Sequence, residues 1–213
     1  MTERLEIILA EIPSGTVFAD IGCDHGYVAK AMICSGKCKK VIISDISAKC
    51  LAKAEELLKN ELADGRAESV VSNGFTNLPR VDVALIAGMG GEEISSIIEN
   101  AKELPENLII QPMKNADKTR VKAVECGYKI IKDRVFRSVG KFYDLIVLKK
   151  GKDILTEEEI EFGRDNLTGD NPAFKERIGG SIVKIEKYLK ADNLSKKTRL
   201  EFTARLEKLK KYV

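Results

Sequence analysis

Along most of the chain, short apolar runs alternate with stretches whose apolar positions recur at helical spacing. The runs predict five strands: four at 17–20, 40–44, 81–87 and 107–111, and one that together with its exit turn occupies 70–75. The stretches around them predict helices at 3–12, 27–34, 48–62 and 116–126, and another that begins at Glu92. A regular alternation of strand and helix indicates an α/β domain on a parallel sheet.

Two further strands are predicted after the last of these helices, at 128–136 and 141–149, joined by residues 137–140. A hairpin after five strand–helix units is not the pattern of a dehydrogenase. It is typical of the class I Rossmann-like methyltransferase fold, a mostly parallel seven-stranded sheet that ends in a β-hairpin. We predict that fold for residues 1–151.

Residues 152–213 are expected to form a small, separate α-helical domain. Thr156 and Glu159 have the spacing of a capping box, which predicts a helix to about Leu167. Later, two stripes of apolar residues step by three and four, and they predict an antiparallel, coiled-coil-like hairpin joined at 191–195. Gly179 and Gly180 weaken the first of its helices and are expected to mark a bend.

The segment from Asp20 to Gly26 connects the first strand to a helix and has the form D-x-G-x-D-x-G. Its glycines let a ligand approach the backbone, and free N–H groups at the helix start face that ligand. The dinucleotide fingerprint G-x-G-x-x-G is absent, and two carboxylates at this turn would repel a pyrophosphate. They suit S-adenosylmethionine, which carries an amino group, a sulfonium and a ribose. The alternative is a strand–helix turn without a ligand.

Three more strand ends carry residues suited to such a ligand. Asp45 follows the second strand, where nucleotide-binding folds hold a carboxylate for ribose hydroxyls, and a helix N-cap role is compatible with this. Asn73 follows the third strand and could hydrogen-bond an adenine edge. The glycines after the fourth strand either admit a flat base beside the donor methyl or form a plain tight turn; they are Gly88, Gly90 and Gly91.

Composition narrows the class of protein. A hydrophobic content of 44% and a charged content of 32% are ordinary for a soluble globular protein, and no run approaches the ~18 apolar residues of a membrane span. No secretion signal is recognised, and the five cysteines are odd in number, so reduced thiols in the cytoplasm are expected. Cys34, Cys38 and Cys50 share one third of the chain with the single histidine, His25, but no C-x-x-C pair exists, and no metal site is predicted.

The net charge of +3 conceals an uneven distribution. Segment 114–141 holds nine basic residues against three acidic ones, and segment 175–213 holds twelve against five. Between them, residues 151–174 hold two basic against seven acidic residues. Two basic segments in a near-neutral chain favour a polyanionic partner, with nucleic acid as the leading candidate and solvated helix faces as the alternative.

Several motifs together resemble the TrmK family, which are bacterial tRNA methyltransferases that act on N1 of adenine at tRNA position 22. The resemblance covers nearly the whole chain, including the tail. It rests on A-D-I-G-C-D-H-G-Y (19–27), I-A-G-M-G-G (86–91), L-I-I-Q-P (108–112), G-K-F-Y-D (140–144) and L-T-E-E-E-I-E-F-G (155–163). It implies a Rossmann-like catalytic domain with a coiled-coil-like helical domain, S-adenosylmethionine as cofactor and tRNA as partner.

The chain departs from the family pattern at four places. D-I-S at Asp45 stands where many members have G-E-V, and Asn73 stands where many have Asp. Cys23 and Gly26 replace residues that are usually Ser and Ala. The first two exchanges keep an acid or an amide nearby, but they leave the exact hydrogen bonds to the donor open.

We expect the donor site to comprise residues of the glycine loop and of the later strand ends: Asp20, Gly22, Cys23, Gly26, Asp45, Ile46, Asn73, Gly74, Gly88, Met89 and Gly90. The catalytic candidates are Tyr27, Asp24, His25 and Gln111. Tyr27 could stack on the adenine, Gln111 could bond its edge, and His25 is either a proton acceptor or a structural hydrogen-bonding residue. Because adenine N1 is already nucleophilic, catalysis can come mainly from positioning.

The two basic segments are expected to anchor the tRNA, and a monomer is favoured. Two other classes of protein remain open: a methyltransferase for a different RNA base or a small molecule, and a non-catalytic RNA-binding protein with a Rossmann-like domain. A small-molecule enzyme would not need the basic tail, and a non-catalytic protein would lose affinity for the donor.

Overall fold

The protein is described by a computed structural model over residues 1–191 and 194–213. The predicted strands are all present, and their bounds are β1 (Val17–Ile21), β2 (Lys40–Asp45), β3 (Ala67–Val71), β4 (Val83–Ala87), β5 (Asn107–Gln111), β6 (Tyr128–Ser138) and β7 (Lys141–Lys150). They form one sheet in the order β3-β2-β1-β4-β5-β7-β6. β1 to β5 are parallel, and β7 lies antiparallel to both β5 and β6. The predicted methyltransferase sheet with its terminal hairpin is confirmed.

Helices cover both faces of the sheet and continue into the tail. They are α1 (Glu3–Glu11), α2 (Tyr27–Cys34), α3 (Ala48–Leu57), α4 (Lys59–Ala63), α5 (Gly91–Glu99), α6 (Ala116–Glu125), α7 (Glu157–Phe162), α8 (Arg164–Thr168), α9 (Pro172–Leu189) and α10 (Lys196–Lys210). On one face α1, α2 and α3 pack on alternate strand residues such as Phe18 and Ile43. On the other face α5 and α6 pack on the residues between them, such as Ala19 and Ile42. The alternation follows from the two-residue period of strands.

Three predicted boundaries are wrong. The strand expected to begin at Val70 begins at Ala67, because the polar residues Glu68 and Ser69 concealed its first half, whereas its exit turn follows at 72–75 as expected. The helix expected at 48–62 is divided at Leu58, which has φ −105° and ψ 16°. The helix expected to reach Leu167 ends at Phe162, since Gly163 has φ +86°.

The tail is helical as predicted, and it packs directly against β6. Val135 of that strand lies in a cluster with Phe162, Phe174, Ile178 and Leu209. The α9 helix continues without interruption through the expected bend at 179–180. Of the expected connection at 191–195, residues 192 and 193 lie outside the described part of the chain.

A buried ionic network joins the tail to the sheet. Arg120, whose side chain is 1% exposed, donates to Asp133 at 2.7 Å and to Asp144 at 2.9 Å. Asp144 also accepts from Arg177 of α9 at 2.8 Å. Burial opposes ionisation of Asp144, but the guanidinium groups of Arg120 and Arg177 hold its pKa below the ordinary value. Asp144, which belongs to the G-K-F-Y-D motif of β7, is therefore one point at which the sheet and the tail are connected.

Candidate active site at the carboxyl ends of the strands

The loop after β1 is held in a compact, left-handed conformation. Gly22 and Gly26 both have φ +69°, and Asp24 between them has φ +45°. The backbone N–H groups of Gly22 and Cys23 donate to the Ser44 carbonyl of β2 at 2.7 and 3.2 Å. A Cβ atom on Gly26 would lie 2.9 Å from the Cβ atom of Ala54 in α3. Glycine is therefore required at Gly26 both by the backbone conformation and by the close approach of a helix.

This loop forms one wall of a cavity of about 300 Å³. The opposite wall comes from the end of β4, and α1 closes one side. The residues that line the cavity are Arg4, Leu5, Asp20, Gly22, Cys23, Asp24, His25, Tyr27, Val28, Leu85, Ala87, Gly88 and Met89. We call it the loop cavity. It contains eight of the residues that the sequence assigned to a donor or catalytic site.

A second hollow of about 140 Å³ lies beside the loop cavity, and Gly22 and Met89 belong to the walls of both. It brings together the residues predicted from strands two and three. Its lining is Ile21, Gly22, Asp45, Ile46, Ser72, Asn73, Gly74, Met89, Glu93 and Ile97. We call it the Asp45 hollow. The two spaces together form a groove that crosses the carboxyl ends of four neighbouring strands.

Asp45 is oriented by the start of α3. Its Oδ1 atom accepts a hydrogen bond from the backbone N–H of Ser47 at 2.9 Å. Ser47, and not Asp45, is the N-cap of that helix, because its side chain accepts from the N–H of Cys50. The other oxygen of Asp45 stays available, and the N-cap reading of this aspartate is wrong.

Asp20 is the most deeply buried acid of the groove, with 5% of its surface exposed. Burial raises its pKa from 3.8 to about 7, although a backbone hydrogen bond from Ala29 opposes the shift. Burial also raises the pKa of the Cys23 thiol, and the charges of Asp20 and Asp45 raise it further. The Cys23 thiol is therefore neutral, and it serves as part of the wall, not as a nucleophile.

An aromatic shelf, formed by His25 and Tyr27, lies at the rim of the loop cavity. The two rings are parallel within 4° with centroids 5.5 Å apart, and Tyr27 is 46% exposed. The Nδ1 atom of His25 lies 2.7 Å from Asp24, which also accepts from Lys53 at 3.1 Å. Burial slightly opposes ionisation of Asp24, yet these hydrogen bonds lower its pKa, so the carboxylate is charged and fixes the histidine ring.

The glycines after β4 have more than one purpose. Gly88 has φ +86° and lines the loop cavity. The N–H of Gly91 donates to the Lys114 carbonyl at 2.9 Å, and a side chain there would collide with the carbonyls of Lys114 and Asn115. Gly90 faces the Lys114 side chain and is not part of either wall. Space for a ligand accounts for Gly88, whereas close backbone packing accounts for Gly91.

Gln111 does not reach the cavity wall. It is fully buried at the end of β5, its Nε2 atom donates to the Pro112 carbonyl at 2.9 Å, and its Oε1 atom accepts a hydrogen bond from Arg4. The residue that does face the cavity is Arg4, which the sequence did not indicate. An arginine on the polar side of an opening helix carries no local signal, since its partner Gln111 is 107 positions away.

Two kinds of feature are not found among the residues that the structure describes, namely a metal site and a membrane-spanning helix. No group of three or more His, Cys, Asp or Glu side chains is placed to hold a metal ion. No helix in residues 1–191 or 194–213 is long and apolar enough to cross a membrane. All five cysteines are free thiols.

Comparisons with known proteins show that this chain is similar to methyltransferases. Residues 1–146 match the family model described as a methyltransferase domain. A Mycoplasma pneumoniae protein, provisionally described as a tRNA methyltransferase, is 30% identical over 164 residues, which are 74% of this chain and 75% of that protein. The tRNA (adenine(22)-N(1))-methyltransferase of Bacillus subtilis is 26% identical over 79% of this chain and 73% of its own length.

A solved structure extends the similarity to the tail. The M. capricolum TrmK, in complex with S-adenosylhomocysteine, is 28% identical and superposes with a TM-score of 0.88 over 100% of this chain and 97% of its own. The sheet order, the glycine loop and these matches lead to one assignment: this chain belongs to the methyltransferase domain family and, within it, to the TrmK methyltransferases.

Proposed function

We propose that this protein transfers the methyl group of S-adenosylmethionine to N1 of adenine 22 in tRNA. The observation that carries the proposal is the groove, which has a buried carboxylate in the loop cavity, a second carboxylate in the Asp45 hollow and an exposed aromatic shelf at its rim. The relatives that bear this activity by name match the chain over most of its length.

The groove fits the donor in charge and in shape. Asp20 and the backbone of the glycine loop suit the amino-acid end, and Asp45 with its free oxygen suits the ribose hydroxyls. Asn73, Gly74 and Ile46 then remain for the adenine ring. Bound S-adenosylmethionine supplies an electrophilic methyl group, and the protein needs only to bring a nucleophile in line with it.

The acceptor base would lie against the aromatic shelf. Tyr27 is half exposed beside the loop cavity, and a purine can stack on it. Since the N1 lone pair of adenine attacks without prior deprotonation, positioning by Tyr27 is the main contribution of the protein. His25, whose ring is fixed by Asp24 at the rim of the loop cavity, could take up a proton after transfer.

The tRNA surface is smaller than the basic residue counts suggest. In segment 114–141, Lys118, Arg120, Lys122, Lys132, Arg134 and Arg137 form ion pairs within the protein. Among the described residues, Lys114, Lys129 and Lys141 of this segment have no acidic partner within ion-pair distance. Internal pairing neutralises charge that a phosphate would otherwise use, so this segment is a minor anchor.

The α9–α10 hairpin has more basic residues without an acidic partner among the described residues, and these lie towards the connection between the two helices. Within the described part of segment 175–213, five basic residues form ion pairs with Asp170, Asp144, Glu161 or Glu186: Lys175, Arg177, Arg205, Lys208 and Lys210. Towards the connection of the two helices, five lysines have no acidic partner among the described residues: Lys184, Lys187, Lys190, Lys196 and Lys197. We call these five the hairpin tip. Exposed Tyr188 lies among them and can stack on a base. A tRNA substrate also places the reaction in the cytoplasm.

The decisive test is incubation of the purified protein with labelled S-adenosylmethionine and unmodified bacterial tRNA, followed by mass spectrometry of nucleosides and of digested fragments. We expect 1-methyladenosine at position 22 alone. A control tRNA with guanine at position 22 should remain unmodified. Methylation at another site, or donor binding without any methylated tRNA, would contradict the proposal.

A further inference from the structure

We infer that Arg4 binds the carboxylate of the donor's amino-acid end, so that the loop cavity recognises a zwitterion between Arg4 and Asp20. The inference rests on the proposed use of S-adenosylmethionine, and it adds a residue that neither the glycine loop nor any strand end supplies. Arg4 enters the cavity from α1, the helix that precedes the whole sheet.

Arg4 is held at the cavity by neutral groups alone. Its Nη1 atom donates to the Oε1 atom of buried Gln111, and its guanidinium carbon lies 5.8 Å from the centre of the Tyr143 ring. Within residues 1–191 and 194–213, no carboxylate lies within ion-pair distance of Arg4. This contrasts with Arg120 and Arg134, whose charges are met by acidic side chains. The charge of Arg4 is therefore positioned without being neutralised.

The location of that charge is defined by the end of β4. The Nη1 atom lies 3.9 Å from the point that a Cβ atom on Gly88 would occupy, so the guanidinium lies beside Gly88 in the cavity wall. Asp20 faces the same space from the end of β1, the strand beside β4. A cavity that presents the cationic Arg4 and the buried acid Asp20 matches an α-amino acid, whose ammonium goes to the acid and whose carboxylate goes to the arginine.

The other cation of the neighbourhood is already engaged. Lys53 donates to Asp24 at 3.1 Å and does not line the loop cavity. Asp24 in turn is fixed by Lys53 and His25. Among the residues that line the cavity, Arg4 is the one permanently charged donor that a carboxylate can meet, and a planar guanidinium can hold it through two parallel hydrogen bonds.

The experiment compares two ligands that differ by the carboxylate alone: S-adenosylhomocysteine and its decarboxylated analogue, which keeps the amine. Dissociation constants are measured by calorimetry for the wild type and for Arg4→Met, Arg4→Lys and Asp20→Asn. We expect Arg4→Met to weaken S-adenosylhomocysteine about 10- to 100-fold and to leave the analogue unchanged. Arg4→Lys should recover part of the loss, and Asp20→Asn should weaken both ligands, because both carry the ammonium.

Arg80→Met is the matched control, since Arg80 is exposed and remote and its replacement also removes one positive charge. It should bind both ligands as the wild type does. Equal losses of both ligands in Arg4→Met would assign Arg4 a structural role and overturn the inference. So would unchanged binding of S-adenosylhomocysteine accompanied by slower methylation of tRNA, which would place the guanidinium on the acceptor. If the wild type bound neither ligand, the proposed function would be overturned as well. If the variants bound the two ligands as expected but the wild type did not methylate tRNA, only the assignment of tRNA as substrate would be overturned.

Discussion

The side chain of Met89 fills the space that a Cβ atom on Gly22 would need. Both residues line the loop cavity and the Asp45 hollow, so this contact lies at the passage between the two spaces. A side chain at Gly22 would push Met89 into the groove. Gly22 therefore determines how far the side chain of Met89 can extend across the groove.

A series of alanine substitutions distinguishes the effect of this contact on ligand binding from the effect of backbone strain on stability. Gly22 and Gly36 have the same φ of +69°, but a Cβ atom on Gly36 meets nothing within 4 Å. Gly36→Ala should lower the free energy of unfolding by about 1 kcal/mol and leave binding of S-adenosylhomocysteine unchanged. Gly22→Ala should lower the free energy of unfolding by a similar amount. It should also weaken binding of S-adenosylhomocysteine at least about tenfold, which corresponds to ~1.4 kcal/mol of binding free energy. Gly22→Ala with Met89→Ala should recover part of the affinity; an equally weak double mutant would mean that Met89 is not the obstacle.

The affinity for the donor should depend on pH through Asp20. Its pKa of about 7 leaves much of the side chain neutral at neutral pH, and a ligand ammonium requires the ionised form. Binding of S-adenosylhomocysteine should therefore strengthen about tenfold between pH 6 and 8, with release of a proton below pH 7. Calorimetry in buffers of different ionisation enthalpy measures both effects. Asp20→Asn should bind weakly at every pH, and a flat wild-type profile would contradict the assignment.

The same burial predicts a pH effect on stability in the ligand-free protein. A carboxyl whose folded pKa is raised favours folding when it is protonated, so its contribution is complete below the unfolded pKa near 3.8 and is lost as pH rises through about 7. The loss can reach ~4 kcal/mol. Urea unfolding of the wild type and of Asp20→Asn across this pH range should show that the variant becomes more stable relative to the wild type as pH rises. A constant difference would mean that Asp20 is ionised throughout.

Tyr27 should act through its ring and not through its hydroxyl group. Stacking on a base is worth about 1–3 kcal/mol, so Tyr27→Ala should lower kcat/KM for tRNA about 10- to 100-fold. Tyr27→Phe keeps the ring and should remain within about threefold of the wild type. Both variants should keep the wild-type affinity for S-adenosylhomocysteine. A large loss in Tyr27→Phe would instead assign the hydroxyl a role in the reaction.

The connection between the tail and the sheet should depend unequally on its two arginines. Arg120→Met would leave buried Asp133 without its ion-pair partner and Asp144 paired with Arg177 alone, and the free energy of unfolding should fall by about 3–5 kcal/mol. Arg177→Met leaves Asp144 paired with Arg120 and should cost at most about 1–2 kcal/mol. Urea denaturation compares them. Hydrogen exchange should rise in α9 and α10 of Arg177→Met while the sheet stays protected; unchanged exchange would mean that the apolar cluster suffices.

Binding of tRNA should depend on the free lysines of the hairpin tip. Replacing Lys187, Lys190 and Lys197 by Gln should lower affinity and reduce the slope of log affinity against log salt by about 2–3. The matched control replaces three paired lysines of the same hairpin, Lys175, Lys208 and Lys210, and should change the slope by less than about one. Equal slopes for the two triple variants would show that free and paired lysines contact the phosphates alike.

Local patterns in the sequence were sufficient for the sheet and most of the groove. The apolar runs and glycine turns predicted every strand, because strand period and turn geometry are properties of a few neighbouring residues. They also placed Asp20, Asp45 and Asn73 at strand ends, which a parallel sheet brings to one edge. Where a strand began with polar residues, as β3 does at Glu68, the same local signal was wrong.

Relationships between distant segments were decided only by the tertiary structure. The position of Arg4 is fixed by its contacts with Gln111 and Tyr143, and no pattern in α1 distinguishes it from an ordinary surface arginine. Charge counts in 114–141 indicated a basic surface, but pairing with remote acids such as Glu11 neutralises much of it. The raised pKa of Asp20 follows from burial, which is a property of the packed protein. The sequence alone determined which residues stand at the strand ends, whereas packing determined their charge, their partners and the space left between them.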